Sequence, residues 1–561
     1  MERRETLKGT GGQILVRSLV AQGADHVFCV PGESHLAALD ALYDVRDQVR
    51  LVTCRHESGA ANMADAYGKL TGRPGIALVT RGPGASNAAI GIHTAAQDST
   101  PLILLVGQVP RGFADREAFQ EIDYRSMFGQ IAKWVAQIDD PRRVPEYVSH
   151  AFHAATSGRP GPVVLALPED MLAEQAEAPA ALRWQRVAAS PAPEQVQRLA
   201  ALLAAARQPV LIVGGSGWTA EAYAGLRSFA EEWRLPVVCA FRFQHLFDND
   251  HPQYAGDAGI GINPKLAQRI READLALVFG ARLGEATTSG YTLLEVPVPK
   301  QTLVHAHAGA GELGRVYAAD LAINAGMPEL MAALSQVHPP SPPSWAAATA
   351  AARADYEAWS APVRVQGPLQ MAEVVTQLRQ RLPPDAITAN GAGNFSSWIH
   401  RFYRYRCLGS QLGPTSGAMG YGLPAAVAAK CVHPDRTVVA FSGDGDFLMT
   451  GQELATAVQY KLPLVVLLVN NGAYGTIRMH QEREYPGRVH GTSLVNPDFA
   501  AYARSFGAFG ETVESTQQFL PAFDRALASG VPALIELRLS IEVITPATTL
   551  SAIRERALKK N

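Results

Sequence analysis

The sequence predicts an α/β fold of three doubly wound parallel-sheet domains, and three observations lead there. Short, continuous apolar runs bounded by turn residues alternate with helical stretches, as expected of strands buried on both faces of a parallel sheet. At 561 residues the chain is too long for a single hydrophobic core. Two segments without periodicity divide it, about 175–195, rich in Ala and Pro, and about 337–346, which carries four prolines and should be extended. The expected domains are therefore 1–185, 186–340 and 350–561.

Composition narrows the function classes. With 47% hydrophobic and 18% charged residues, the chain reads as a soluble globular protein. A net charge of −2 gives no basis for a nucleic-acid or anionic-membrane partner. Cys29, Cys54, Cys239, Cys407 and Cys431 are odd in number and form no CxxC pair, so they read as small buried residues in a reducing compartment. The N-terminal MERRETLKGTGGQILVRSLV is charged and lacks the apolar centre of a signal peptide, and no apolar run reaches membrane-spanning length. A cytoplasmic enzyme is the expectation.

In the first domain the strand candidates are HVFCV, RLVTC, GIALVT, LILLVG and PVVLAL. The loop Pro31-Gly32-Glu33-Ser34-His35 follows the first of them; His35 reads either as an acid or base or as a solvated loop histidine. After RLVTC, Glu57 opens the small-residue helix SGAANMADAYGKLTG, where a carboxylate complements the helix macrodipole. His93, in a further small-residue helix, reads as structurally satisfied. In the second domain PVLIVGG, PVVCA, LALVFG and TLVHAHA are strand candidates. Gly214-Gly215-Ser216-Gly217 there lacks GxGxxG spacing and reads as a tight strand-to-helix turn.

In the third domain the strand candidates are AITAN, TVVAF, LVVLLV and ALIELRL, and Asn390-Gly391-Ala392-Gly393-Asn394 follows the first of them as a glycine turn. The stretch Gly443–Asn471 joins two buried strands, opening on Gly443-Asp444-Gly445-Asp446 and closing on Asn470-Asn471. Thr450-Gly-Gln-Glu453 has capping-box spacing, so a helix should run from there to about Lys461. The polar ends of this unit fall at the carboxyl edge of the sheet, where open α/β sheets bind ligands. Glycines admit phosphate oxygens to the backbone, while Asp444 and Asn471 supply hard oxygens suited to Mg²⁺ shared with phosphates.

GDG after a buried strand, 24 residues, and then NN at the end of another strand resembles the cofactor signature of thiamine-diphosphate-dependent enzymes. RHESGAANMADAYGKLTGRPGIALVTRGPGASNAAIGIHTAAQDSTPLILLVG likewise resembles their pyrimidine-binding domain, that of acetolactate synthases above all. The resemblance covers about residues 10–545 and implies roles for particular positions. Glu57 would bind N1′ of the aminopyrimidine, where a carboxyl group in a poorly solvated cleft favours the 4′-imino tautomer. Gly391 and Asn394 match a diphosphate-binding loop. In Ser416–Pro424, which includes Gly417, Met419 would wedge between the cofactor rings. The backbone carbonyl of Ala473 would join Asp444 and Asn471 as metal ligands, with Tyr474 and Gly475 following at the cofactor. Gln120, in AFQE, would line the active site.

The resemblance also has departures. Arg81 stands where acetolactate synthases commonly have serine, and could bind a carboxylate or form a salt bridge; Glu169 stands where many carry lysine, and reads as a surface residue. His480 replaces a tryptophan that selects a second 2-oxo acid, and with Arg478 it offers polar groups near the acceptor space or is simply solvated. Relatives bind FAD or ADP in the central domain. GARLGEATTSG and HAHAGAGELG lack the more polar and acidic runs of the flavin enzymes, which argues against FAD. The expected activity is decarboxylation of a 2-oxo acid, carboligation, or both, with thiamine diphosphate and Mg²⁺ in a homodimer or homotetramer. The alternatives are a C–C bond lyase acting on a diketone or hydroxyketone, a flavin-containing 2-oxo acid oxidase, and a non-catalytic binding homologue. Retention of Glu57 together with the full metal motif argues against the last.

Overall fold

The computed structural model describes residues 6–559, so the first five residues of the charged N-terminal stretch lie outside the described residues. The chain forms two compact units. One comprises Met1–Val187 with Leu423–Pro434 and Thr450–Leu462; the other comprises Ala188–Gly422, Asp435–Met449 and Pro463–Asn561.

The first unit contains β1 (Thr6–Thr10), β2 (His26–Cys29), β3 (Arg50–Thr53), β4 (Gly75–Val79), β5 (Leu102–Gln108), β6 (Trp134–Gln137), β7 (Pro162–Pro168) and β8 (Gln175–Pro179). Six of these make a parallel sheet in the order β3-β2-β4-β5-β7-β6, while β1 and β8 pair antiparallel, Leu7 opposite Ala178. Every residue of β5 and β7 is buried, which is why both read as unbroken apolar runs. Ile14, Leu105, Phe152 and Leu165 belong to the core on one side of the sheet.

The second unit holds two further parallel sheets. The first is built from β9 (Pro209–Val213), β10 (Val237–Cys239), β11 (Tyr254–Asp257), β12 (Leu275–Phe279), β13 (Thr302–His307) and β14 (Leu321–Asn324), in the order β11-β10-β9-β12-β13-β14. The other is built from β15 (Ile387–Asn390), β16 (Gln411–Leu412), β17 (Val438–Gly443), β18 (Val465–Asn470), β19 (Phe509–Val513) and β20 (Ala533–Arg538), in the order β16-β15-β17-β18-β20-β19. A reciprocal pair ties the segments of this unit together: Asn249 N–H donates to the Tyr405 carbonyl at 2.8 Å, and Tyr405 N–H to Asn249 Oδ1 at 2.9 Å.

The three doubly wound parallel sheets are those the apolar runs predict. Two local expectations need correction. Residues 175–179, within the stretch read as a linker, form β8 because β1 offers them a hydrogen-bonding edge. The capping box at Thr450 does not form: Thr450 makes no side-chain cap, Gly451–Glu453 is a 3₁₀ turn, and the helix spans only Leu454–Gln459. Glu453 is drawn away by backbone donors elsewhere in its unit.

Candidate functional site

The carboxyl edge of the third sheet gathers oxygen donors and glycine loops within the second unit. β17 and β18 are parallel neighbours with Gly443 opposite Val469, so Asp444 and Asn470-Asn471 leave the sheet side by side. Asp444 is buried. Its Oδ1 accepts from Gly445 N–H at 3.0 Å, and its Oδ2 from Gly472 N–H at 2.9 Å and Asn496 Nδ2 at 2.7 Å. Burial still pushes its pKa up, the situation a bound cation relieves.

Asn471 is half-buried and its side-chain amide makes no hydrogen bond among the described residues, which leaves its oxygen available as a ligand. The Gly472–Tyr474 loop that carries Ala473 is pinned by Leu494 N–H to the Gly472 carbonyl at 2.8 Å and by Tyr474 N–H to the Thr492 carbonyl at 2.9 Å. One carboxylate, one amide oxygen and one backbone carbonyl make a hard donor set that fits Mg²⁺ shared with phosphate oxygens. Among the described residues there is no cluster of three His, Cys, Asp or Glu side chains of the kind that holds transition metals. Asn496, which orients Asp444, carried no recognisable motif in the sequence; it comes from a loop 52 residues further along.

Glycine loops border these donors. After β15, a Cβ on Gly391 would lie 2.0 Å from Asp446 Oδ1, so only glycine fits. Asp446 is buried, and burial raises its carboxyl pKa to about 6. Its Oδ1 accepts from Ala392 N–H at 3.1 Å and Gly420 N–H at 2.9 Å, so the carboxylate grips two loops from beneath. Asn394 is fixed by Thr476, whose hydroxyl donates to its Oδ1 at 3.0 Å. Gly417 and Gly420 both adopt positive φ, and Met419 stands half-buried on the turn between them. Gly445 packs against the Tyr474 ring, and Gly475 lies beside the Asn471 amide.

Glu57 begins the helix Glu57–Thr71 of the first unit, with His56 as N-cap. It is half-buried, and its Oε2 accepts from Asn87 Nδ2 at 2.9 Å. The residues just before it are held by Glu453, which is fully buried: Oε1 accepts from Arg55 N–H at 3.0 Å and His56 N–H at 2.9 Å, and Oε2 from the Thr456 hydroxyl at 2.6 Å. Gln120 adopts a positive φ and its carbonyl lies over Gly82.

Several side chains are not where the sequence places them. His35 is buried rather than solvated, its Nε2 accepts from Gly32 N–H at 3.2 Å, and burial pushes its pKa down to about 4. The ring therefore stays neutral and closes its own loop. His93, read as structurally satisfied, is exposed and makes no hydrogen bond among the described residues. Arg81 takes the salt-bridge alternative read from the sequence: it is buried and ion-paired with Glu169 at 3.2 Å and Glu33 at 3.6 Å, so the two departures at 81 and 169 are partners. These residues line a cavity of about 490 Å³ together with Ser34, Leu36 and Leu172.

In the second unit, His480 is exposed and accepts from Arg483 at 2.8 Å. Arg478 pairs instead with the buried Glu482, whose pKa Arg554 and Arg478 lower to about 2. In the central sheet the glycine turn closes on itself: the Trp218 indole donates to the Gly214 carbonyl at 3.0 Å, and a Cβ on Gly215 would meet the Gly280 carbonyl at 2.1 Å. His305 is buried with its Nε2 3.0 Å from the Ala281 carbonyl, and Arg282 is paired with Glu312.

Fold and site together define a class: an α/β enzyme of three doubly wound sheets, with glycine loops and hard oxygen donors gathered at one carboxyl edge. Comparison with known proteins narrows it. Residues 9–127 match the thiamine pyrophosphate enzyme N-terminal TPP binding domain, 196–334 the central domain, and 391–537 the C-terminal TPP binding domain. Acetolactate synthase of Mycobacterium bovis is 33% identical over 545 residues, covering 94% of this chain and 87% of the relative. The acetolactate synthase isozyme 2 large subunit of Escherichia coli K12 is 32% identical over 557 residues, covering 98% and 99%. A probable acetolactate synthase large subunit of Methanocaldococcus jannaschii is 31% identical over 563 residues, covering 97% and 93%. The chain belongs to the thiamine pyrophosphate enzyme family, and its cofactor is thiamine diphosphate. Among the described residues no helix is long and apolar enough to cross a membrane.

Proposed function

We propose that the protein decarboxylates a 2-oxo acid, joins the resulting fragment to a carbonyl acceptor, or does both, using thiamine diphosphate and Mg²⁺. The observation that carries this reading is the pairing of β17 with β18, from which Asp444 and Asn471 emerge together beside the Gly391 and Gly417 loops. Asp444, Asn471 and the Ala473 carbonyl would hold Mg²⁺, and the glycine loops would receive the diphosphate. Met419, on the turn between Gly417 and Gly420, would bear on the cofactor rings. Glu57 would hold a proton at N1′ of the aminopyrimidine, with Asn87 fixing the carboxylate. Thiamine diphosphate supplies the carbanion-stabilising chemistry when bound.

The three domains, 1–185, 186–340 and 350–561, would serve as pyrimidine-binding, central and diphosphate-binding parts. A homodimer is the smallest active unit under this reading, with a tetramer as the larger form, in the cytoplasm. FAD is not favoured, because the central glycine turn is self-closed and His305 and Arg282 are already engaged. His480, where acetolactate synthases commonly carry a tryptophan, argues against acetohydroxyacid synthesis itself; the second reading is a C–C bond lyase acting on a diketone or hydroxyketone with the same cofactor.

The test supplies thiamine diphosphate, Mg²⁺ and a panel of 2-oxo acids and hydroxyketones, with and without aldehydes, and follows CO₂ release and products by NMR. Glu57→Gln should lose roughly 10²- to 10⁴-fold in turnover. A correctly folded variant with near-normal turnover overturns the role of Glu57. Absence of any reaction with the whole panel overturns the proposed activity.

A further inference from the structure

The two glycine loops are braced by a residue that belongs to no cofactor motif. Arg242 follows β10 in the central segment, and its φ of +64° is a left-handed conformation that a side-chain-bearing residue keeps only where its surroundings enforce it. The side chain is buried. Its Nη1 donates to the Pro414 carbonyl, and its Nη2 to the Gly391 carbonyl at 3.1 Å. Gly413 makes room for it, since a Cβ there would lie 3.2 Å from Arg242 Cδ.

Asp446 holds the same loops by their N–H groups. The peptide between Gly391 and Ala392 is therefore gripped at both ends, its carbonyl by the guanidinium and its N–H by the carboxylate. The 413–420 loop is gripped in the same way, at the Pro414 carbonyl and the Gly420 N–H. Rigid carbonyls fix the direction in which the remaining N–H groups of a loop point, and prefixed donors lose little freedom when an anion arrives.

We propose that Arg242 and Asp446 form a buried clamp that sets the spacing of the 390–394 and 413–420 loops for a diphosphate group, so that the central segment selects the cofactor by its number of phosphates. The proposal rests on the cofactor reading above. Both residues act through the loops, as positioning residues.

The experiment titrates apoenzyme calorimetrically with thiamine diphosphate and, separately, with thiamine monophosphate, each with Mg²⁺. Wild type should prefer the diphosphate. Losing the charged hydrogen bonds in Arg242→Met should weaken diphosphate binding by about 10- to 100-fold while changing monophosphate binding by less than about threefold, so the preference collapses. Arg242→Lys, whose ammonium can reach one carbonyl, should fall between, and it carries the test if Arg242→Met fails to fold by circular dichroism. Equal losses for both compounds indicate a general folding role and overturn the clamp, as does an unchanged preference. If wild type binds neither compound, the cofactor reading itself fails; if wild type binds and both variants keep its preference, only the clamp fails.

Discussion

Replacing Glu453 with alanine should damage the first unit more than any change at its surface. The carboxylate is fully buried and accepts two backbone N–H groups, those of Arg55 and His56, immediately before Glu57. Removing it takes the buried acceptor away from both part-buried donors, at a cost of up to about 1–3 kcal/mol each, so the expected loss is roughly 2–6 kcal/mol. For a unit of this size each kcal/mol moves the melting temperature by about 2–4 °C, which puts the shift at roughly 5–20 °C. Turnover should fall as well, because Arg55 and His56 set the start of the helix that carries Glu57. Glu453→Gln keeps an amide oxygen for both N–H groups and should cost less than about 1.5 kcal/mol. Gly59→Ala attacks the same contact from the other side, since its Cβ would lie 2.4 Å from Glu453 Oε1. The assay is thermal melting of the holoenzyme alongside steady-state kinetics. An alanine variant within about 0.5 kcal/mol of wild type and fully active refutes the anchoring role.

Three further outcomes are expected. Asn496→Ala removes the donor that orients Asp444, and the Mg²⁺ concentration for half-maximal activity should rise about 10- to 100-fold; an unchanged metal titration counts against this geometry. Burial, with the Arg242 charge, pushes the pKa of His400 down to about 3, below the unfolded value of about 6.5, so the folded state binds fewer protons. The stability this provides is whole above about pH 6.5 and drains toward pH 3 by about 1.4 kcal/mol per unit; denaturation curves of His400→Gln should lack that acid-side slope. Glu169→Lys should set a second cation against the buried Arg81 and cost about 1–2 kcal/mol, and Arg81→Ser in the same chain should recover most of it. Additive effects in that double-mutant cycle would mean that the two positions are uncoupled.

The strands that the sequence reveals are those buried on both faces. β5, β7, β9, β12, β17 and β18 are almost wholly enclosed and read as continuous apolar runs. The strands it leaves unread include β6, β11, β14, β16 and β19, all at sheet edges. β6 and β19 are mostly half-buried, so they carry less of the apolar signal. β8 looks like linker because its pairing with β1 depends on residues far away in the chain.

The same division runs through the site. Asp444 and Asn471 are legible from sequence alone because one strand–helix–strand unit places both, and local spacing is enough to recognise it. Which side chains brace that unit is set by distant partners that no local pattern encodes. Glu453 abandons its predicted cap for donors 398 and 397 residues away, Arg242 reaches a carbonyl 149 residues away, and Asn496 finds Asp444 across 52. A buried charge must take whatever partners the assembled chain brings within hydrogen-bonding range, and only the tertiary structure decides which those are.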